Sequence, residues 1–226
     1  MPTFTTHDGT ELTTTVLGGS GEPVVVLPGG PLRPSRYLGN FGGLDAHREL
    51  VLLDLPHRRV DQIVGDVEAL RGHLDRDTID VIGHSAGANL ALLHAAAHPD
   101  RVGRLALITP GTRVVGIRPT DAELAARESG VVRAPADDSP GSPDDFATYY
   151  GDGVFDVEAA RAGLAKVGAD VLILVGSLDV GSPIRLGVEL GELFAHAEVV
   201  VQPGAGHYPW LDDPTWFVQT LQRFFG

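Results

Sequence analysis

The sequence predicts an α/β fold, with a mostly parallel β-sheet and helices on both of its faces. Short runs of apolar, β-branched residues recur along the chain, as in buried parallel strands. Stretches with apolar residues at helical spacing separate most of these runs, which indicates repeated β-α units. The runs are 24–27, 50–53, 79–82, 105–108, 171–175 and 199–201, and the helical stretches are 61–74, 86–98, 183–194 and 214–225.

The first residues of the chain predict an antiparallel pair of strands ahead of the parallel runs. Two threonine-rich segments, 3–6 and 11–16, flank the sequence His7-Asp8-Gly9-Thr10. Asp-Gly between two strand-forming segments is a hairpin signal. The sheet is therefore expected to begin with a hairpin.

The length predicts one domain over residues 1–226 with a small insertion. A chain of 226 residues can bury roughly 70 to 75% of the surface that its unfolded form exposes, which suits one large core. The interval 111–167 breaks the β-α pattern and lies between two core strands, so we interpret it as a small lid over the strand ends. The alternative is an irregular surface excursion without a substrate role. The interval contains Pro119, Pro135, Pro140, Pro143, a turn-rich stretch over 134–142 and helical candidates at 121–128, 144–149 and 157–167.

Composition excludes several classes of partner and chemistry. Thirty acidic residues against 17 basic ones give a formal charge of -13, which repels phosphate backbones and argues against a nucleic-acid partner. No apolar run approaches the roughly 20 residues of a membrane span. Without a basic segment and apolar core at the N-terminus, we expect a cytoplasmic protein. The absence of cysteine limits nucleophiles to oxygen and nitrogen groups.

The pentapeptide Gly83-His84-Ser85-Ala86-Gly87 stands at a predicted strand-to-helix junction. A G-x-S-x-G sequence in this position indicates a nucleophile elbow, in which the serine occupies a strained turn at the carboxyl end of a strand. The flanking glycines are needed because a Cβ at either position would collide with the neighbouring strand or helix. We therefore predict that Ser85 is a catalytic nucleophile.

A serine nucleophile needs a base to take its proton and an acid to orient that base. Asp179 follows one of the late predicted strands, and His207 follows the next one. Open parallel sheets place their sites at the carboxyl ends of strands, so Ser85, Asp179 and His207 are expected to converge. The loop after the preceding strand, residues 109–112, offers no competing carboxylate.

Acyl transfer also needs two hydrogen-bond donors for the developing oxyanion. The first is expected to be the N–H of Ala86, the residue after the nucleophile. The second is expected from the loop after the first parallel run, which reads Pro28-Gly29-Gly30-Pro31. Pro31 has no N–H, so Gly30 is the predicted donor, with Gly29 as the alternative.

These motifs resemble the α/β-hydrolase fold superfamily, in particular its proline iminopeptidase-like and small esterase-like members. The resemblance runs nearly end to end and rests on the segments 28–31, 83–90, 176–179 and 204–207. It implies an α/β-hydrolase fold and hydrolysis through an acyl-enzyme without a cofactor. Position by position, it implies Ser85 as nucleophile, Asp179 as acid, His207 as base, and Gly30 and Ala86 as oxyanion donors.

Further residues near the predicted site are candidates for substrate contact. They are Gly29, in the predicted oxyanion loop, and His84, beside the nucleophile. Three aromatic residues are also candidates: Tyr149 in the lid, and Tyr208 and Trp210 in the loop that carries His207, called the base loop below. The aromatic side chains could instead pack the lid against the core, and His84 could be a packing residue.

No metal site is predicted. His94 and His98 have the i, i+4 spacing of a zinc pair. However, the residues between them offer no catalytic glutamate, and no third ligand is evident.

Taken together, the residues predict a serine hydrolase for a small to medium carboxylic ester, lactone or amide, acting on a small-molecule substrate. Fold does not settle chemistry, so alternatives stay open. They are a proline iminopeptidase-type aminopeptidase, a non-hydrolytic lyase, cyclase or acyltransferase, and a ligand-binding protein without turnover.

Overall fold

The computed structural model describes residues 3–6, 8–19, 21–129 and 142–226. Within these ranges, eight strands form one sheet. They are β1 (Thr3–Thr5), β2 (Glu11–Leu17), β3 (Pro23–Leu27), β4 (Glu49–Leu53), β5 (Ile79–His84), β6 (Val102–Ile108), β7 (Asp170–Gly176) and β8 (Ala197–Gln202).

The strand order across the sheet is β1-β2-β4-β3-β5-β6-β7-β8. β1 pairs antiparallel with β2, β2 pairs antiparallel with β4, and every other pairing is parallel. The predicted mostly parallel sheet with an initial hairpin is therefore confirmed. His7 of the predicted hairpin turn lies outside the described residues.

Helices follow the strands as the hydrophobic spacing predicts. They are α1 (Val60–His73), α2 (Ala86–Ala97), α3 (Asp121–Ser129), α4 (Pro143–Tyr150), α5 (Val157–Leu164), α6 (Ile184–Gly191), α7 (Pro209–Asp212) and α8 (Pro214–Phe225). α6 is shorter than the predicted stretch 183–194. Pro183 caps it with an extended backbone, and i→i+3 hydrogen bonds to Leu190 and Gly191 replace the helical pattern at its end.

Alternating residues of the parallel strands supply two apolar cores, one on each face of the sheet. Val25 and Val81 belong to the core beneath α1, α2, α5 and α6. Val24 and Ile82 belong to the core beneath α8 and two 3-10 turns, Ser35–Leu38 and Phe41–Ala46. Helical cover on both faces is thus confirmed, because each strand presents successive side chains to opposite sides.

The segment between β6 and β7 contains helices where the sequence predicts them. α3, α4 and α5 coincide with the three candidates, although α5 ends at Leu164 rather than at residue 167. Gly163 of α5 lies against α2, and a Cβ there would come within 2.4 Å of the Ala96 carbonyl oxygen. Pro135, Pro140 and the turn-rich stretch up to residue 141 lie outside the described residues. The interpretation of 111–167 as a lid stays a prediction.

The strand order reverses direction between β3 and β5. β4 lies on one side of β3, whereas β5 and the strands after it lie on the other. Loops that leave the carboxyl ends of two such strands diverge and leave a crevice, where open α/β sheets bind their ligands. The loop of residues 28–31, which contains the predicted oxyanion donor, and the turn at Ser85 both start at this point.

Candidate active site

Ser85 occupies a strained backbone position between β5 and α2. Its φ of 52° and ψ of -117° lie in a region that a residue with a side chain rarely adopts. The flanking glycines permit the turn, as predicted. A Cβ at Gly83 would lie 2.8 Å from the Ala88 Cα, and a Cβ at Gly87 would lie 2.2 Å from the Leu27 carbonyl oxygen.

Main-chain hydrogen bonds hold the strained serine in place. The Ser85 N–H donates to the Ile108 carbonyl oxygen at 3.0 Å, and the Gly111 N–H donates to the Ser85 carbonyl oxygen at 2.8 Å. Both partners belong to β6 or the loop after it, so the neighbouring strand end fixes the elbow. The surrounding sheet thereby maintains the strain.

The structure brings the three predicted site residues together at the carboxyl ends of β5, β7 and β8. His207 Nε2 lies 2.9 Å from Ser85 Oγ, and His207 Nδ1 lies 2.8 Å from Asp179 Oδ2. The second oxygen of Asp179 accepts from the Gly181 N–H at 2.7 Å. A carboxylate only accepts, so His207 Nδ1 carries the proton and Nε2 is free to accept from the serine hydroxyl.

The Asp179 side chain is completely buried, whereas the His207 side chain keeps 17% of its exposure. The acid is therefore shielded from water while the base remains reachable from the crevice. Glycine at 181 permits this packing, because a Cβ there would lie 3.1 Å from Asp179 Oδ1 and 3.2 Å from His207 Nδ1.

The two glycines of the loop 28–31, the predicted oxyanion loop, differ in their contacts and conformation. The Gly29 N–H donates to the Tyr37 hydroxyl at 2.7 Å, so the predicted alternative donor and substrate contact is already engaged within the protein. Gly30 adopts a φ of 122°, which a residue with a side chain rarely adopts. Gly30 remains the candidate donor, together with Ala86, whose N–H at the first position of α2 has no intrahelical acceptor.

His84 does not contact the crevice, contrary to its prediction as a substrate contact. Its side chain is buried, and both ring nitrogens are engaged: Nε2 with the His207 carbonyl oxygen at 3.1 Å and Nδ1 with the Tyr37 hydroxyl at 2.6 Å. A carbonyl only accepts, so Nε2 donates and Nδ1 accepts from Tyr37. Burial holds the pKa of His84 well below its usual value, which keeps the ring neutral and consistent with this arrangement.

The aromatic residues predicted as substrate contacts lie in the core instead. Tyr149 is fully buried and donates to the Ala86 carbonyl oxygen at 3.3 Å. Trp210 is buried against Phe41, with ring centroids 4.6 Å apart. Both predictions need correction, because these large aromatic side chains pack into the two apolar cores.

Tyr208 is also buried, directly beside the base. Its hydroxyl accepts from the buried Arg33 guanidinium at 3.1 Å. Its ring meets that of His207 edge to face, with centroids 5.3 Å apart. Tyr208 thus supports the base loop rather than lining the crevice.

Two side chains that sequence reasoning did not identify reach the same network. Tyr37 lies on a 3-10 turn after β3, and Thr109 follows the last residue of β6. Thr109 Oγ1 donates to the His207 carbonyl oxygen at 3.0 Å. No motif marks either residue, and the position of Thr109 at a strand end is the one signal available in the sequence.

The described residues contain no group of three or more His, Cys, Asp or Glu side chains arranged to hold a metal ion. No helix within the described ranges is long and apolar enough to cross a membrane.

A family model identifies the class to which this fold belongs. The model of the alpha/beta hydrolase family matches residues 24–220. The chain belongs to the alpha/beta hydrolase family. The matched range of this alpha/beta hydrolase includes Ser85, Asp179 and His207.

Individual proteins resemble this alpha/beta hydrolase over most of its length. It is 28% identical to 2-hydroxymuconate semialdehyde hydrolase of Pseudomonas sp. strain CF600, in a gapped alignment of length 195 that covers 73% of this chain and 66% of that protein. It is 23% identical to 2-hydroxy-6-oxo-2,4-heptadienoate hydrolase of Pseudomonas putida strain F1, in a gapped alignment of length 247 that covers 91% of this chain and 90% of that protein.

Among solved structures, the chain is similar to the esterase RhEst1 from Rhodococcus sp. ECU1013. The TM-score is 0.76 with 21% sequence identity, and the match covers 99% of this chain and 97% of that one. At this identity the likeness shows a shared fold.

Proposed function

We propose that this alpha/beta hydrolase is a serine hydrolase that cleaves a small to medium carboxylic ester, lactone or amide through an acyl-enzyme at Ser85. One observation carries the proposal. The His207 ring joins Ser85 Oγ, at 2.9 Å, to the buried Asp179 carboxylate, at 2.8 Å, beside a serine in a strained turn. A side-chain cluster that only packed the core would not need that backbone strain.

Each residue has a definite step in the proposed reaction. Ser85 Oγ attacks the substrate carbonyl carbon while His207 Nε2 takes the hydroxyl proton. The N–H groups of Gly30 and Ala86 donate to the carbonyl oxygen as it becomes negative. The protonated His207 gives its proton to the leaving group, and the carbon–oxygen or carbon–nitrogen bond breaks.

Deacylation repeats these steps with water. His207 Nε2 takes a proton from water, the hydroxide attacks the acyl carbon, and the proton passes to Ser85 Oγ as the acid leaves. The Asp179 carboxylate stabilises the imidazolium in both halves and keeps the proton on Nδ1 in the neutral form. The resulting reaction consumes one water and yields an acid and an alcohol or amine.

The two sequence relatives favour a second candidate substrate class. Their names specify a muconate semialdehyde and an oxo-dienoate. Neither kind of compound contains an ester or an amide, so hydrolysis of such a substrate here would break a carbon–carbon bond beside the oxo group. The same base and oxyanion donors serve this chemistry.

The aminopeptidase alternative receives less support from the lid. That activity needs lid carboxylates for a substrate ammonium group, but two of the lid carboxylates already have cationic or histidine partners. Glu123 pairs with Arg185 at 2.6 Å, and Asp145 with His57 at 2.8 Å.

Labelling and mutation test the proposed nucleophile. A fluorophosphonate probe is expected to modify the folded protein at Ser85, as peptide mapping by mass spectrometry would show. Ser85→Ala is expected to lower kcat by about 10⁶-fold, since a triad acts as a unit. Ser142→Ala, which removes an exposed serine ahead of α4, is the control and retains both properties. Substantial turnover by Ser85→Ala would instead favour a non-hydrolytic reaction.

A substrate panel separates the remaining classes. It contains p-nitrophenyl esters of graded length, a prolyl arylamide and an oxo-dienoate, all assayed with wild type and Ser85→Ala. We expect turnover of short esters by the wild type. Turnover of the prolyl arylamide alone would replace the esterase proposal with an aminopeptidase. Ligand-induced thermal stabilisation without turnover of any activated ester would indicate a binding protein.

A further inference from the structure

The main-chain carbonyl oxygen of His207 accepts hydrogen bonds from two side chains on neighbouring strand ends. His84 Nε2, at the end of β5, donates at 3.1 Å, and Thr109 Oγ1, just after β6, donates at 3.0 Å. His207 lies in a loop with Gly204 and Gly206 on its amino side, and glycines restrict a backbone least. Other hydrogen bonds hold Gly204 and Gly206, and the two side chains fix the carbonyl group of His207 itself.

Thr109 adopts an unfavourable backbone conformation where it makes this contact. Its φ is 41°, and a positive φ is an outlier for a β-branched residue. The residue is completely buried, and its N–H donates to the Leu174 carbonyl oxygen at 2.7 Å. Such strain persists only where the surroundings impose it, and it concentrates at functional positions. At Thr109, the strained backbone directs the hydroxyl group towards the main-chain carbonyl oxygen of His207.

His84 extends this contact to the oxyanion loop. Its Nδ1 accepts from the Tyr37 hydroxyl at 2.6 Å, and the Tyr37 oxygen accepts from the Gly29 N–H at 2.7 Å. These hydrogen bonds all run in one direction, from the Gly29 N–H through Tyr37 and His84 to the carbonyl oxygen of His207. The residue before the candidate oxyanion donor is thus linked to the backbone of the base.

We propose that Thr109, His84 and Tyr37 are positioning residues, which hold the base loop, the nucleophile strand and the oxyanion loop in the arrangement that catalysis needs. The inference rests on the proposed serine hydrolase function. These residues do not touch the substrate; they act through His207 and Gly29. Small displacements of a base from its nucleophile lower the rate steeply, whereas substrate affinity depends on other contacts.

Thr109→Val tests the proposal with minimal change of shape, because valine keeps the β-branch and removes the hydroxyl. We expect kcat on an activated ester to fall by about 10- to 100-fold, with KM changed by less than about threefold. Thr109→Ser restores the donor and is expected to recover most of kcat.

Thr112→Val is the matched control, since Thr112 is a buried threonine of the same loop whose Oγ1 donates to the Ile117 carbonyl oxygen at 2.9 Å. It loses an equivalent hydrogen bond away from the base, so thermal stability should fall while kcat stays near the wild-type value. Equal loss of kcat in both valine variants, or unchanged kcat in Thr109→Val, would overturn the proposal.

Tyr37→Phe provides an independent measurement that does not depend on the strained threonine. The phenyl ring can keep the stacking of the Arg33 guanidinium, which lies 3.9 Å from the ring centroid. We expect a selective fall in kcat here too, and unchanged kcat would count against the positioning role. Ser85→Ala is measured alongside. If this variant retained turnover, the proposed serine hydrolase function itself would be wrong. That result is distinct from any outcome at Thr109 or Tyr37.

Discussion

Two buried histidines, one just before helix α2 and one within it, are held in opposite ways. Ahead of its amino end, both ring nitrogens of His84 have hydrogen-bond partners. Near its carboxyl end, neither ring nitrogen of His94 has a hydrogen-bond partner among the described residues, and the nearest carboxylate oxygen, on Glu68, lies 3.6 Å away. Burial lowers the pKa of both histidines.

The two histidines differ in what the protein gains from a polar group in the core. A buried polar group costs stability unless it is hydrogen-bonded. At the amino end of α2 the bonds of His84 fix the candidate site, so the cost is offset where geometry matters. At the far end His94 carries the cost without a visible structural return. Mutations at the two ends should therefore affect different properties.

The largest expected effect lies at the site end, in Asp179→Asn. Both oxygens of Asp179 face N–H donors, on Gly181 and His207. An asparagine NH2 group must oppose one of them, which favours the tautomer of His207 with the proton on Nε2 and prevents it from accepting the Ser85 proton. We expect kcat to fall by about 10⁴-fold.

The melting temperature of Asp179→Asn should change little, because the residue keeps its size. Stopped assays for kcat and thermal denaturation measure the two quantities on the same preparation. A kcat within tenfold of wild type would remove Asp179 from the proposed mechanism.

Gly87→Ala tests how tightly the backbone packs at the same end of α2. The added Cβ would lie 2.2 Å from the Leu27 carbonyl oxygen, and strand backbone cannot move aside cheaply. We expect a loss in the free energy of unfolding on the order of 3 kcal/mol or more. Urea denaturation measures it.

Gly65→Ala in α1 is the matched control, since nothing lies within 4 Å of the Cβ built there. The same change should stabilise the protein by about 0.5 to 1 kcal/mol, because alanine favours the helix. Opposite signs for the two variants are required. A stabilising Gly87→Ala would show that the elbow does not need its glycine.

Much of the sheet and of the site could be predicted from local patterns. The apolar runs correctly indicated the parallel strands, and residues at strand ends converge because parallel strands share an edge. The convergence of Ser85, Asp179 and His207 was therefore predictable without coordinates. Gly30 followed from the missing N–H of Pro31, and the bond from Gly29 to Tyr37 is consistent with that choice.

The supporting residues could not be predicted, because their roles depend on contacts between distant segments. Tyr37 and His84 are separated by 47 residues, and Thr109 and His207 by 98. A positive φ at Thr109 leaves no local sign in a threonine. Tyr149 and Trp210 were misassigned for a related reason, since aromatic residues near a site can face the substrate or the core equally well in sequence.

His94→Leu tests the far end of α2, where stability rather than activity should respond. Burial lowers the pKa of His94 from 6.5 to about 4, so between these values the unfolded chain binds a proton that the folded chain refuses. The free energy of unfolding therefore falls as pH falls through this window, by about 3 kcal/mol in total.

Leucine removes that dependence on pH. The difference in the free energy of unfolding between pH 7 and pH 4 should shrink by about 3 kcal/mol, while kcat stays unchanged. His47→Leu, at an exposed position, is the control. Urea denaturation at several pH values provides the measurement, and an unaltered pH dependence in His94→Leu would contradict the argument.

The smallest expected effect concerns a partly exposed contact, the ion pair between Glu123 of α3 and Arg185 of α6. Arg185 donates to both oxygens of Glu123, at 3.1 and 2.6 Å, and its hydrogen bonds lower the pKa of Glu123 from 4.5 to about 2. The pair contributes stability that is present above pH 4.5 and lost as pH falls towards 2. Because water screens both side chains, Glu123→Gln should cost less than about 1 kcal/mol.

That cost should also disappear in about 1 M salt, where the Debye length is near 3 Å. Denaturation of wild type and Glu123→Gln in low and high salt, at neutral pH, measures both expectations. A loss above 2 kcal/mol in the free energy of unfolding that salt does not reduce would show that this contact behaves like the buried, hydrogen-bonded groups around His84. The segment between β6 and β7 would then be held against α6 as firmly as the site loops are held to one another.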